Sequence, residues 1–250
     1  MLRSTKALSG YRILARDGDI GKAQEFLFDD STWTIRYLVV DTGHRLPGRK
    51  VLISTVALGN PDWESHELSV DLTMEQVTNS PGIDTDIPVS RQYQLDLHAY
   101  YGWPDYWTYG GFYNVAPPQP PFGGEEEETY REESDDPHLR STGEVFGYHI
   151  QAIDGEIGHV EDFIADDRSW IIRYMQVDTR NWLPGKKVLI SPRWISDISW
   201  TEQLVYVDLS RDAVKHSPEY SPAEPVNREY ETRLYDYYGR PKYWHRHVRK

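Results

Sequence analysis

Apolar and polar residues alternate through most of the chain, and the alternation is broken by turn-forming residues. That pattern predicts short β-strands rather than long helices. Tyr11–Arg16 reads as a strand ended by the Asp17-Gly18 turn signal, and Ile20–Phe28 reads as the next. Asp29-Asp30-Ser31 is a polar turn. Trp33–Asp41 (WTIRYLVVD) carries the strongest strand signal, with Ile35, Tyr37 and Val39 expected on one face and Arg36, Leu38 and Val40 on the other. Pro47-Gly48 predicts a tight turn, followed by strands at Lys50–Ser54, near Val56–Trp63 and at Glu67–Leu72. The pattern then changes period. Thr73–Ser80 predicts a capped helix stopped by Pro81. After Ser90, residues Tyr93, Leu97, Tyr100 and Tyr101 recur at helical spacing up to Gly102, which suits a left-handed helix end.

The same order returns later. A shift of 137 residues aligns Leu2–Trp107 with Leu139–Trp244 without a gap, at 48 identities in 106 pairs counted directly from the sequence. LRST opens both copies, and YYGWPDYW and YYGRPKYW close them. The chain therefore divides into residues 1–107, a linker at 108–138, and residues 139–250 with a basic tail. Each half is expected to fold independently as a small antiparallel β-barrel followed by C-terminal helices, its terminal aromatics shielding the barrel. The fold class expected is mainly β with short helices, as two tandem barrels.

Charge is unevenly spread. The formal net charge is −13; residues 108–138 hold 1 basic and 8 acidic side chains, and residues 139–250 hold 16 and 17. Pro-Pro and Gly-Gly pairs with Glu125–Glu128 make the linker a solvated segment, or a docking strip for a basic partner. Such a balance disfavours nucleic acid and anionic membranes as partners. The chain has no Cys and no apolar run long enough to span a membrane, which fits a cytoplasmic protein.

No sequence pattern announces catalysis, a metal site or a cofactor. Asp29-Asp30 and Asp166-Asp167 read as turn-capping acids rather than cation ligands. Asp84 and Asp86 have no acidic counterpart in the second copy, and the nine His show no ligand spacing. Gly18-Asp19-Ile20-Gly21 reads as turn chemistry. Arg36 and Arg173, inside the strongest strands, call for a carboxylate partner (Asp41 or Asp71, and Asp178 or Asp208) or serve as docking arginines. The residues fitted to meet a protein partner are Trp103, Tyr106, Trp107, Arg240, Tyr243 and Trp244, with Arg36 and Arg173. Position 103/240 is the one expected to face solvent, because Trp in one copy is Arg in the other.

Taken together, Gly18-x-x-Gly21, Asp29-Asp30, IRYLVVDT, the PG turn with KVLIS, and SP…PVSRQ…YYGWPxYW resemble the PRC-barrel family, in both copies. Domains of that family occur in the cytoplasmic part of the photosynthetic reaction-centre H subunit, in a ribosome-maturation factor and in many small bacterial proteins. The resemblance implies a non-enzymatic adaptor in the bacterial cytoplasm that binds a protein partner. The expected arrangements are bivalent binding of one partner, packing of the two repeats on each other, or a homo-oligomer. Two alternatives accompany it: a small-ligand or ion sensor using a cleft between the barrels, and a factor associated with ribosome, RNA or reaction centre.

Overall fold

A computed structural model describes residues 1–43, 49–83, 89–107, 138–179 and 186–244. The Pro47-Gly48 turn, Asp84 and Asp86, the Glu125–Glu128 run and the tail from His245 lie outside these residues. The first half contains β1 (Leu2–Ser4), α1 (Thr5–Leu8), β2 (Arg12–Ala15), β3 (Gly18–Asp29), β4 (Thr34–Asp41), β5 (Lys50–Ser54), β6 (Leu58–Asp62), β7 (Glu67–Val70), α2 (Met74–Asn79) and α3 (Arg91–Tyr101). The second half repeats them as β8 (Leu139–Ser141), α4 (Thr142–Val145), β9 (His149–Ala152), β10 (Gly155–Asp166), β11 (Ile172–Asp178), β12 (Lys187–Ile190), β13 (Ile195–Ser199), β14 (Leu204–Val207), α5 (Arg211–His216) and α6 (Arg228–Tyr237). The fold is mainly β, with two seven-stranded sheets and short helices.

Each sheet has the order β5-β4-β3-β2-β7-β6 or its counterpart β12-β11-β10-β9-β14-β13. The pairs are antiparallel except β2–β7 and β9–β14, which are parallel. Among the described residues no ladder joins β5 to β6, so the sheets are open where closed barrels were expected. The free edge of β5 is instead met by the chain after α2. Ile83 N–H donates to Lys50 O at 3.2 Å, and in the second half Tyr220 N–H donates to Lys187 O at 2.9 Å.

The seventh strand of each sheet comes from the other half. β1 pairs antiparallel with β10, Arg3 opposite Ala165, and β8 pairs antiparallel with β3, Arg140 opposite Phe28. Side chains lock both exchanges. Asp162, buried, accepts from Ser4 Oγ, from Thr5 Oγ1 at 3.0 Å and from Lys6 N–H at 3.1 Å. Glu25 accepts from Ser141 Oγ, and Phe26 N–H donates to Thr142 Oγ1 at 3.2 Å. The paired acids Asp30 and Asp167 take part as well. Asp30 N–H donates to His138 O, and its carboxylate meets His138 and Arg140; Asp167 meets the N-terminal amine. Two independent halves are therefore not what the chain forms. The LRST segments that open each repeat complete the sheet of the neighbouring one.

A second seam runs through the Trp turns. Trp33 (φ 54°) and Trp170 (φ 55°) adopt left-handed backbone, an unusual state for a bulky residue. Their carbonyls accept from the opposite half: Ile172 N–H to Trp33 O and Ile35 N–H to Trp170 O, both 2.8 Å. Thr34 bridges Ile171, its own counterpart under the 137-residue shift, so the contact is self-complementary. Phe26 packs on Trp170 and Trp33 on Phe163, with centroids 5.7 and 6.1 Å apart. One buried apolar cluster runs through both halves across this seam.

Two local features depart from simple alternation. Leu27 faces Tyr37 and Phe28 faces Ile35, so Arg36 is the extra residue of a β-bulge. Ile35 consequently joins Leu38 and Val40 in the main core, while Tyr37 and Val39 lie with Leu52 and Leu97 in a smaller core. Ile172, Arg173 and Tyr174 repeat the bulge. Gly21 is not in a turn. It lies inside β3 at φ 145°, where a Cβ would collide with the Asp41 carbonyl; Gly158 does the same against Asp178.

Because each half supplies a strand to the other, cutting the connection should not separate them. With a protease site inserted between residues 108 and 137, the cleaved halves should elute together at the intact mass and melt in one transition. Fragments that separate under native conditions and each melt cooperatively would contradict the exchange.

Candidate functional site

Helices α3 and α6 end in the aromatic octets, and their caps fix where the octets go. Ser90 Oγ accepts from Tyr93 N–H at 3.1 Å and Asn227 Oδ1 from Tyr230 N–H at 2.8 Å, each closing a helix N-terminus. Gly102 (φ 70°) and Gly239 (φ 60°) reverse the chain at the other end. The rings then fold back over the outer face of β4 and β11. The buried stripe differs from the expected one. Gln94, Leu97 and His98 are buried in α3, and Glu231, Leu234 and Tyr235 in α6, whereas Tyr100 and Tyr237 are exposed. Three of the buried residues are polar because the strand beneath offers them a tyrosine hydroxyl.

In the first half, His98 is the centre. Its Nδ1 lies 3.0 Å from Pro104 O, which only accepts, so Nδ1 carries the proton. Nε2 then accepts from Tyr37 OH at 2.8 Å. Tyr106 OH donates to Gln94 Oε1 at 2.7 Å. Burial pulls the His98 pKa below its ordinary value, partly offset by Pro104 and Asp105, and burial pushes the Tyr37 hydroxyl far up. Trp107 packs against His98 at 4.9 Å, and Trp103 stacks on Tyr101 at 4.1 Å.

The second half replaces this neutral network with a charged one. Glu231 Oε1 accepts from Tyr174 OH at 2.8 Å and Tyr243 OH at 2.7 Å, and Oε2 pairs with Arg228 at 2.9 Å. Desolvation, reinforced by Glu231, pushes Tyr174 far above the usual tyrosine range. Tyr235, where the first half has His98, sets its hydroxyl 3.5 Å from Ser191 and its ring 5.2 Å from Trp244.

The bulged arginines lie beside these networks. Arg36 pairs with Asp29 at 3.0 Å, not with Asp41 or Asp71, and its guanidinium covers the Tyr106 ring at 4.1 Å. The bulge turns Arg36 toward the helix exit, away from Asp71, which pairs with Arg16 at 2.6 Å instead. Arg173 covers Tyr243 at 4.3 Å and has no ion pair with Asp178 or Asp208. Position 103/240 is half-buried in both halves rather than fully open. Arg240 is held by Asp208 at 2.9 Å, a carboxylate left available because Ile153 stands where the first half has Arg16.

The structure brings Arg36, Trp103, Tyr106 and Trp107 together at one site and Arg173, Tyr243 and Trp244 at the other, while Arg240 is held by Asp208 instead. Sequence reasoning missed Gln94, His98, Glu231 and Tyr235. It also missed Arg91 and Arg228, which cover Trp107 at 4.8 Å and Trp244 at 4.1 Å. The identity of Arg91 with Arg228 at the first helical position was the available signal. Among the described residues, no group of three or more His, Asp or Glu is placed to hold a metal ion, and no helix is long and apolar enough to cross a membrane.

These sites define a mainly β protein of two interlocked sheets, each carrying a helix-capped aromatic and arginine cluster. No protein-family model matches the chain, and no curated protein matches it.

Two expectations follow. His98 has a lowered folded-state pKa, so folding favours its neutral ring. Its contribution is complete above the unfolded value of about 6.5 and is lost as pH falls through that value toward the folded pKa. His98→Tyr installs the residue of the second half opposite the buried Ser54 and should flatten that part of a stability–pH curve; an unchanged slope would refute the assignment. Glu231→Gln, which installs the first half's residue, should cost about 1 kcal/mol in urea denaturation, and Glu231→Ala about 3 kcal/mol because two tyrosine hydroxyls lose their acceptor.

Proposed function

We propose that the chain is a non-enzymatic interaction module of PRC-barrel type that binds a protein partner through its two aromatic helix exits. The observation that carries this reading is the pair of half-exposed clusters in which Tyr106, Trp107, Tyr243 and Trp244 are each covered by an arginine. Trp, Tyr and Arg held rigidly in one orientation lose little side-chain entropy on binding, and these types dominate binding energy at protein interfaces. The self-complementary seam supports the same reading, since it ties the strand beneath one cluster to the strand beneath the other. The junction where a sensor would need its cleft is filled by the buried rings of Phe26, Phe28, Phe163 and Trp170. That argues against the ligand-sensor alternative.

Site-specific photo-crosslinking in the source cell tests the reading. A crosslinker at position 107 or 244 should capture one defined protein, whereas the same group at exposed Ser65 should not. Replacing Arg91 or Arg228 by Ala should reduce capture from the adjacent position. Equal labelling from all three positions would show that these clusters have no partner.

A further inference from the structure

The two clusters differ in charge, and the difference points to a ligand. In the second half three guanidinium groups converge on one ring. Arg173, Arg228 and Arg193 lie 4.3, 5.6 and 5.9 Å from the Tyr243 centroid. Arg193 is exposed, Arg228 is 56% exposed, and Arg173 is half-buried. The carboxylate within the cluster is Glu231, and it is already occupied: one oxygen holds two tyrosine hydroxyls and the other holds Arg228. Among the described residues, neither Arg173 nor Arg193 forms an ion pair. The Asp166 carboxylate, counterpart of the Asp29 that neutralises Arg36, accepts through Oδ1 from the backbone N–H groups of Arg168 and Ser169 at 3.0 and 2.9 Å, and it does not pair with Arg173 as Asp29 pairs with Arg36.

The first half lacks this arrangement. Asp29 neutralises Arg36, and Val56 stands where the second half has Arg193. The second site thus carries two arginines that form no ion pair among the described residues, in a chain whose net charge is −13.

We infer that the Tyr243 cluster is an oxyanion site for a phosphate monoester or free phosphate, bound by Arg173, Arg193 and Arg228. Two guanidinium groups without a carboxylate match the charge of a phosphoryl group, roughly −1.5 to −2 at neutral pH. Stacking on an aromatic face leaves the guanidinium N–H edge available for paired hydrogen bonds to oxygen. The inference stands on this face alone and does not require the protein partner proposed above.

The test titrates the full chain with inorganic phosphate and, separately, with O-phosphoserine, following tryptophan fluorescence against chloride at matched ionic strength. Trp244 beside the cluster is the reporter. A saturable response is expected with at least one phosphoryl probe. Arg193→Val installs the first half's residue at an exposed position and should weaken it roughly tenfold. Arg168→Ser removes one charge at the exposed residue 168, in the turn before Trp170, and should leave the response unchanged. Tighter binding of phosphoserine would assign the site to phosphorylated side chains; tighter binding of phosphate would assign it to the free ion. No saturable response with either probe, or equal weakening by both substitutions, would overturn the inference.

Discussion

The structure depends on a reciprocal exchange: each half completes the other's sheet. β1 and β8 are three residues long, too short to hold by strand pairing alone. They are held because the residues after them turn into α1 and α4 and deliver hydroxyl and backbone donors to a carboxylate across the seam. Asp162 is buried and receives several donors, so desolvation raises its pKa even though each hydrogen bond opposes the rise. Glu25 does the same work in a more exposed setting. Remove either carboxylate and a strand loses its lock; remove the strands and the ends of β3 (27–29) and β10 (164–166) become edges with their backbone groups unpaired.

The seam explains the strain at the Trp turns. A left-handed Trp backbone costs free energy, yet both halves keep it. In that conformation the Trp carbonyl points across to the partner strand while its indole packs on a phenylalanine of the opposite half. Backbone pairing and ring packing are thus set by one residue in each half.

Much of this was legible in the sequence, and the failures have physical reasons. The duplication, the strand order, both helix caps and the glycine ends follow from local rules, because each depends on residues close along the chain. The exchange does not. LRST is identical in both copies, so its choice of the neighbour's sheet over its own is decided by geometry rather than by composition. The bulge at Arg36 was hidden for a related reason. One extra residue moves Ile35 to the other face without changing any residue type. Gln94, His98 and Glu231 look like solvent-facing polar positions. What buries them is Tyr37 or Tyr174, 57 to 61 residues earlier in the chain.

The two halves share one frame, and their two sites differ in a chemically coherent way. Where α3 carries Gln94 beside His98, α6 carries Glu231 beside Tyr235, and each pair has a fitting partner set. The neutral amide takes one tyrosine hydroxyl while the imidazole takes the other; the carboxylate takes both and gains Arg228. The exchange of Arg16 for Ile153 releases Asp208, and the exchange of Trp103 for Arg240 uses it. Substitutions that compensate within one half are what a fold preserved by two copies of the same seam permits. The seam residues must remain complementary to their own counterparts, whereas the helix exits answer only to the strand beneath them. Difference is therefore tolerated at the exits, and the excess of arginine at Tyr243 lies where the architecture constrains it least.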